Sequence, residues 1–359
     1  MDWNNLKRKA KRGCGTLLAG AMTLGGIVGG YNCSRTPSEG NVLEPIGIEE
    51  VVDGSGAPKP KNTTDRSDLE ISIQNYVDSL RDNDKARERG VEDYTIYVQD
   101  LSNGEVILDI NSGRQQMSAS SNKVFFMMAY FHQVEKGRIK YTNSDKKTLE
   151  KMIRNSNNGC TNKIINRVNS PKGKGDWMDT ILDHYGFDAT EYEKIPKGGR
   201  TIRNLTTSED LAKLFTMIYA GDLPHSEEMV RILELGASDK LVHNTCIPIE
   251  SRFLDSHGGY VQEVGNKTGT IYGVSSDAGV ISARFQTPQG ETVDVPYFVS
   301  ILIEDKEAKQ DNFRGGYDAW SSAKNETIRS LHEAIYWDFL SRYSGQTPSC
   351  NAHKGVHPK

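Results

Sequence analysis

Ser120-Ser121-Asn122-Lys123, followed without a break by Val124, Phe125, Phe126, Met127, Met128, Ala129, Tyr130 and Phe131, sets four polar residues at the head of a long apolar run. A run with no polar face predicts a helix buried on nearly all sides, hence a central helix rather than a surface one. Serine and lysine three positions apart lie almost one helical turn apart, which projects the Lys123 amine beside the Ser120 hydroxyl. A serine hydroxyl is a poor nucleophile until a neighbour takes its proton, and a lysine desolvated beside another cation can serve as that neighbour. The helix N-terminus adds free N–H groups, which favour negative charge on a carbonyl oxygen under attack. Alone, the pattern is unspecific. Ser144-x-x-Lys147 and Ser321-x-x-Lys324 repeat the spacing, and a helix cap followed by a surface lysine is its commoner origin.

Upstream, Leu69, Ile73, Tyr76, Val77 and Leu80 fall on one face at helical spacing and predict a first amphipathic helix. Tyr94 to Asp100 and Glu105 to Ile110 are strand-like, joined through Ser102-Asn103-Gly104, whose Asn-Gly step suits a tight turn with positive φ. From Ser120 to about Ala237 the pattern is helical, with Thr207-x-x-Asp210 as a capping-box-like start and Leu211, Leu214, Phe215 and Ile218 sharing a face. Gly259 to Lys267, Asp277 to Phe285 and Val293 to Ile303 are strand candidates, and Ile328, Leu331, Ile335 and Phe339 mark a closing helix. Strands at both ends with helices between them argue against a βαβ parallel sheet. The expected fold class is α+β: an antiparallel sheet built from both chain ends, flanked by terminal helices, with an all-helical lobe inserted and a cleft between lobe and sheet.

Two further polar elements are placed to face that cleft. Ser156-Asn157-Asn158 sits in a break between helical segments, and Lys267-Thr268-Gly269 ends a strand candidate. Taken singly, the first reads as a helix cap or turn and the second as a strand running into a turn. Together, Ser-x-x-Lys, a Ser-Asp-Asn-like triplet and Lys-Thr-Gly, in that order, resemble the class A β-lactamases and penicillin-binding proteins. The flanks are similar as well: Met152-Ile153-Arg154, Thr161-Asn162, Asn204-Leu205-Thr206-Thr207, Asn266, and Gly273 to Gly279 with Asp277 inside it. The resemblance runs from about residue 68 to 342.

The resemblance implies a serine hydrolase acylated at Ser120, with Lys123 accepting the hydroxyl proton and Ser156 relaying a proton to the departing nitrogen. It implies that Asn158 binds the substrate amide and helps hold Lys123, and that Lys267 supplies positive charge near Ser156 and a substrate carboxylate. The Thr268 and Thr270 hydroxyls would bind that carboxylate, the backbone N–H groups of Ser120 and Thr270 would form the oxyanion hole, and Gly269 would keep the strand close to substrate. Three departures stand against this. The family's Glu-x-x-Leu-Asn motif, whose glutamate positions hydrolytic water, is absent. The only acids in its place are Asp188, Glu191 and Glu193, between Phe187 and Pro196. Asn157 replaces the usual Asp, and the spacing from Ser120 to Ser156 is shorter than in typical class A enzymes. Hydrolysis of β-lactam amides, D,D-peptidase action on cell-wall peptides, and slowly deacylating sensing or a pseudoenzyme all stay open; each takes a β-lactam or a peptidoglycan peptide as partner.

The chain has 359 residues, 36% hydrophobic and 26% charged, enough to bury a full core. A net charge of −4 leaves no basic field for a nucleic-acid backbone, so no nucleic-acid partner is expected. Lys7, Arg8, Lys9, Lys11 and Arg12 precede an uncharged stretch from Gly13 to Tyr31, so residues 1–33 read as a signal peptide or membrane anchor and the protein as exported. Residues 34–66 read as a flexible tether, 67–345 as the hydrolase domain and 346–359 as a disordered tail. No CxxC, HExxH or histidine cluster occurs, so neither metal nor cofactor is expected, and the domain is expected to act as a monomer. Outside the leader lie Cys160, Cys246 and Cys350. Export permits a disulfide, Cys160 with Cys246 being one pairing that the sequence allows without establishing it.

Overall fold

The computed structural model describes residues 63–82, 93–170, 177–192, 204–236, 240–305 and 316–346. The leader and nearly all of the tether and tail expected from sequence lie outside these residues. Among them, no helix is long and apolar enough to cross a membrane.

Helix α1 (Thr63–Asp82) leads into strands β1 (Asp93–Asp100) and β2 (Val106–Ile110) and a two-residue strand β3 (Gln116–Met117). The helical block follows: α2 (Lys123–Glu135), α3 (Asn143–Arg154), α4 (Asn158–Asn169) and α5 (Trp177–Tyr185), then a two-residue strand β4 (Leu205–Thr206), then α6 (Ser208–Ala220), α7 (Ser226–Glu234) and a short α8 (Leu254–His257). Three long strands, β5 (Gly259–Ile271), β6 (Val274–Gln286) and β7 (Thr292–Glu304), precede the closing helix α9 (Gly316–Ser344).

The main sheet has the order β2-β1-β7-β6-β5 and its pairs are antiparallel, so the N-terminal hairpin joins the C-terminal meander where β1 meets β7. The hairpin turn carries Gly104 at φ +81, and the Asn103 side chain accepts from Glu105 N. Period-two alternation explains why both sheet faces are covered. Tyr297, Val299, Ile301 and Ile303 of β7 pack in one core with Ile73 and Val77 of α1 and with Ile328, Leu331, Ile335 and Phe339 of α9. Phe298 and Leu302 of the same strand pack in the other core, with α2 and with Leu211, Leu214 and Phe215 of α6. Helix α2 runs through this second core, and Val124 to Phe131 are all almost fully excluded from solvent, as an apolar run without a polar face requires.

One expectation needs correction, and one pairing left open by the sequence is answered. The middle block is not purely helical, because β3 and β4 pair through Gln116↔Thr206 and Met117↔Leu205. A two-residue ladder is too short to leave a period in the sequence. It matters because it ties the segment before α6 to the one leading into α2. Secondly, Cys160 and Cys246 are free thiols. Cys160 lies in the first turn of α4, whereas the backbone N–H of Cys246 donates to Glu333 of α9, so the two are held by elements of different layers.

The departure at Asn157 has a local explanation. Its side chain caps α4, accepting from Cys160 N at 2.8 Å, a task asparagine and aspartate perform about equally well. Asn157→Asp should therefore leave the thermal midpoint unchanged, while Asn157→Ala should cost about 1 kcal/mol of stability in a denaturant titration.

Candidate active site

Ser120 lies in the turn immediately before α2, reached through Ala119 at φ +49. Ser156, in the link between α3 and α4, has φ +52. Left-handed backbone is unfavourable for residues with a Cβ, so the surrounding structure holds both positions under strain. That strain aims two hydroxyls at one amine. Lys123 Nζ lies 2.5 Å from Ser120 Oγ, 3.2 Å from Ser156 Oγ and 2.9 Å from Asn158 Oδ1. Three of the residues singled out by sequence thus surround a fourth, Lys123, which is itself only 3% exposed.

An ammonium has three donors, and these contacts use all of them. The amide oxygen of Asn158 can only accept, so when the proton leaves, an N–H must stay on it. The lone pair can then turn to Ser120 or to Ser156, and the contact to Ser120 is much the shorter. Burial, reinforced by the positive charge of Lys267, lowers the Lys123 pKa to about 7. The neutral amine that could accept a serine proton is accordingly well populated near neutral pH.

The opposite wall is β5. Lys267-Thr268-Gly269 does not end this strand, which runs on to Ile271 before a turn through Gly273 at φ +84. Thr-Gly reads as a strand terminus, but antiparallel pairing with β6 through Lys267↔Ala278, Thr268↔Asp277, Gly269↔Ser276 and Thr270↔Ser275 carries the ladder further. Lys267, 2% exposed, donates from Nζ to Thr268 O at 2.7 Å and makes no hydrogen bond to Ser156 among the described residues. Burial lowers its pKa to about 8 against the opposing pull of Asp277. Asp277 is fully buried and accepts both from Asn266 Nδ2, at 2.8 and 2.9 Å, and from Lys240 N at 2.8 Å.

Gly269 is required by protein backbone. A Cβ there would meet Ser118 O at 2.4 Å, Ser276 Oγ at 2.5 Å and Ser120 N at 2.9 Å, so β5 lies directly against the turn that carries Ser120. The same seam is closed by Ser121 Oγ, 2.7 Å from Ser276 Oγ, and by Ser276 Oγ donating to Ser118 O at 3.2 Å. Ser118 donates to Asn204 O from both its amide and its hydroxyl, which brings in the segment ahead of α6. Thr207 then caps α6 by accepting from Asp210 N, as its capping-box spacing predicts.

Of the acids that stand in for the missing glutamate, the two that are described, Asp188 and Glu191, do not join this cluster. Glu191 is exposed and accepts from Gln115, Asp188 is exposed, and Glu193 lies outside the described residues. The rival Ser-x-x-Lys pairs separate clearly: Ser144 and Lys147 are exposed, and Lys324 is buried in an ion pair with Asp305. Sequence reasoning missed Lys240. It is 6% exposed, and its Nζ donates to Thr270 Oγ1 at 2.6 Å, Gly269 O and Ser275 Oγ at 3.0 Å, and Ser276 O at 3.2 Å. A lone lysine in an aperiodic loop carries no signal that would have found it.

An antiparallel sheet backed by terminal helices, an inserted helical lobe, and a serine-lysine cluster at their seam define a β-lactamase-fold serine hydrolase. The family model for the β-lactamase enzyme family matches residues 78–145 and 142–312, and the chain belongs to that family. Among solved structures the fold is similar to that of a PBP-A mutant determined as an acyl-enzyme complex with penicillin G (20% identity, 75% of this chain and 97% of that one, TM-score 0.52). It is also similar to a β-lactamase from Sphaerobacter thermophilus DSM 20745 (18% identity, 74% and 96% coverage, TM-score 0.53). A β-lactamase from Chitinophaga pinensis DSM 2588 is likewise similar (14% identity, 76% and 99% coverage, TM-score 0.52). No curated protein matches the sequence.

Proposed function

We propose that the protein is an exported serine hydrolase in which Ser120 attacks the carbonyl of a β-lactam amide and is acylated by it. The observation that carries this reading is the 2.5 Å approach of Lys123 Nζ to Ser120 Oγ in a buried setting that favours the neutral amine. Lys123 takes the hydroxyl proton as the carbon–oxygen bond forms. The Ser120 and Thr270 N–H groups stabilise the oxyanion, and Ser156, bonded to the same amine, returns a proton to the nitrogen as the ring carbon–nitrogen bond breaks. Asn158 holds Lys123 and receives the substrate amide, while Lys267, Thr268 and Thr270 hold the substrate carboxylate. The basic N-terminal segment and the uncharged stretch after it support export.

A second reading is favoured by one observation. With Glu191 engaged by Gln115 at the surface and no Glu-x-x-Leu-Asn motif, water activation is the weak step, as expected of a D,D-peptidase or a sensor that stays acylated. Intact-mass spectrometry after mixing with benzylpenicillin separates the two. A covalent adduct is expected within minutes. Its decay with product release identifies a β-lactamase, its persistence identifies the slow-deacylating reading, and the lack of any adduct contradicts both.

A further inference from the structure

A second recess lies at the far end of α2 from Ser120. His132 near the close of that helix, Lys136 and Arg138 just beyond it, and Trp177, Ile181 and His184 of α5 line a cavity of about 200 Å³. At about 1.5 Å of rise per residue, His132 sits roughly 14 Å along the helix axis from Lys123, so the cavity is separate from the acylation cluster.

Its charges have one sign. Lys136 and Arg138 are exposed and form no ion pair among the described residues, and neither Asp nor Glu is among the described residues of the wall. A cation at Lys136 complements the C-terminal end of α2. Arg138 lies past that end and His184 on another helix, so the helix dipole does not account for the gathering. His132, 6% exposed, packs edge-on against His184 and has Nδ1 2.9 Å from the Tyr185 hydroxyl, while its Nε2 has no hydrogen-bond partner among the described residues. Burial, reinforced by the positive charges of His184, Lys136 and Arg138, lowers the His132 pKa to about 4, so the ring is neutral. When the Tyr185 hydroxyl donates to Nδ1, the ring proton sits on Nε2, a donor without an acceptor. Trp177 Nε1 is another: it is excluded from solvent and unpartnered among the described residues, with the Arg138 guanidinium 4.2 Å above the indole. Lysine, arginine and indole can only donate, so the complement of this wall is an acceptor with negative charge. The indole ring and the buried Ile181 supply carbon surface beside it.

We propose that this cavity binds a small organic acid, an apolar ring-sized body carrying one carboxylate or phosphate. The acid head meets Lys136, Arg138 and Nε2 of His132, and the body lies against Trp177 and Ile181. The volume is below the roughly 300–1,000 Å³ of sites for drug-sized ligands, which limits the body to about one ring. The inference does not depend on the chemistry at Ser120.

The test titrates the full-length chain with phenyl phosphate, and separately with inorganic phosphate and benzyl alcohol as the head and the body alone. Calorimetry reads affinity, and nitrogen NMR of the histidine rings reads location. Phenyl phosphate should bind with a Kd of about 1 mM or tighter, and each half at least about tenfold more weakly. The ring signals of His132 and His184 should move, with the His132 proton on Nε2 in the complex. Replacing both exposed cations, Lys136→Gln with Arg138→Gln, should weaken phenyl phosphate binding by about tenfold or more, the loss of hydrogen bonds to a charged group. Lys147→Gln, an exposed lysine of α3, should leave it unchanged. Saturating phenyl phosphate should not protect Ser120 from penicillin labelling. Lack of binding, an affinity untouched in the double variant, equal affinity for either half, or protection of Ser120 overturns this inference. Absence of labelling at Ser120 without phenyl phosphate overturns only the acylation proposed above.

Discussion

Lys123→Met is expected to slow acylation of Ser120 by about 10²–10⁴-fold, the usual contribution of a positioned general base. The side chain is nearly isosteric along its stem and sits in an apolar helix, so packing is retained while the amine that touches Ser120, Ser156 and Asn158 is lost. Lys123→Arg should be as slow, since a guanidinium stays protonated and cannot accept the serine proton. The wild-type rate should rise with pH through about 7, as Lys123 becomes neutral, and fall again above about 8, as Lys267 loses the charge proposed to attract the substrate carboxylate. Stopped-flow acylation across that range checks both limbs. In both variants the limb near 7 should vanish.

Gly269→Ala is expected to lower stability by about 1–3 kcal/mol, the cost of overpacking a filled site. Its effect on acylation should be larger, about 10²-fold, because a displacement of roughly 1 Å between reacting groups is enough for that. The new methyl would lie well inside van der Waals contact of Ser118 O, 2.4 Å away, and of Ser120 N, 2.9 Å away, both backbone atoms that no rotamer change can move aside. Relief requires β5 to shift away from the turn that carries Ser120, which opens the proposed oxyanion hole on one side. A thermal midpoint lowered by a few degrees, together with a labelling rate reduced far more, is the expected pair of results.

Both predictions concern contacts between segments that the sequence marks separately. The first helix, the hairpin, the central helix and the three long strands are legible because each keeps its period of 3.6 or 2 over enough residues to be recognised. The antiparallel order follows from a helical block that interrupts two groups of strands. Ser120, Lys123, Ser156 and Asn158 are legible because the motif order fixes which of three Ser-x-x-Lys pairs matters, although spacing alone did not distinguish Ser120 from Ser144 or Ser321.

What escaped the sequence shares a physical cause: it depends on contacts made across the fold by residues with no local pattern. The β3–β4 ladder is two residues long. The positive φ at Ala119 and Ser156 falls on residue types that do not announce it, unlike Gly104 or Gly273. Lys267-Thr268-Gly269 reads as a strand running into a turn, yet here glycine is what allows β5 to pass against Ser118 and Ser120. Lys240 is marked only by the convergence of Thr270, Ser275 and Gly269 on its amine, a set of contacts made across the fold.

The most direct measurement is fluorescent-penicillin labelling of the wild-type protein beside Ser120→Ala and Ser144→Ala, followed by mass mapping of the labelled peptide. The account predicts label on the peptide containing Ser120, undiminished in Ser144→Ala and absent in Ser120→Ala. Label that persists in Ser120→Ala, or that maps to another peptide, would contradict it.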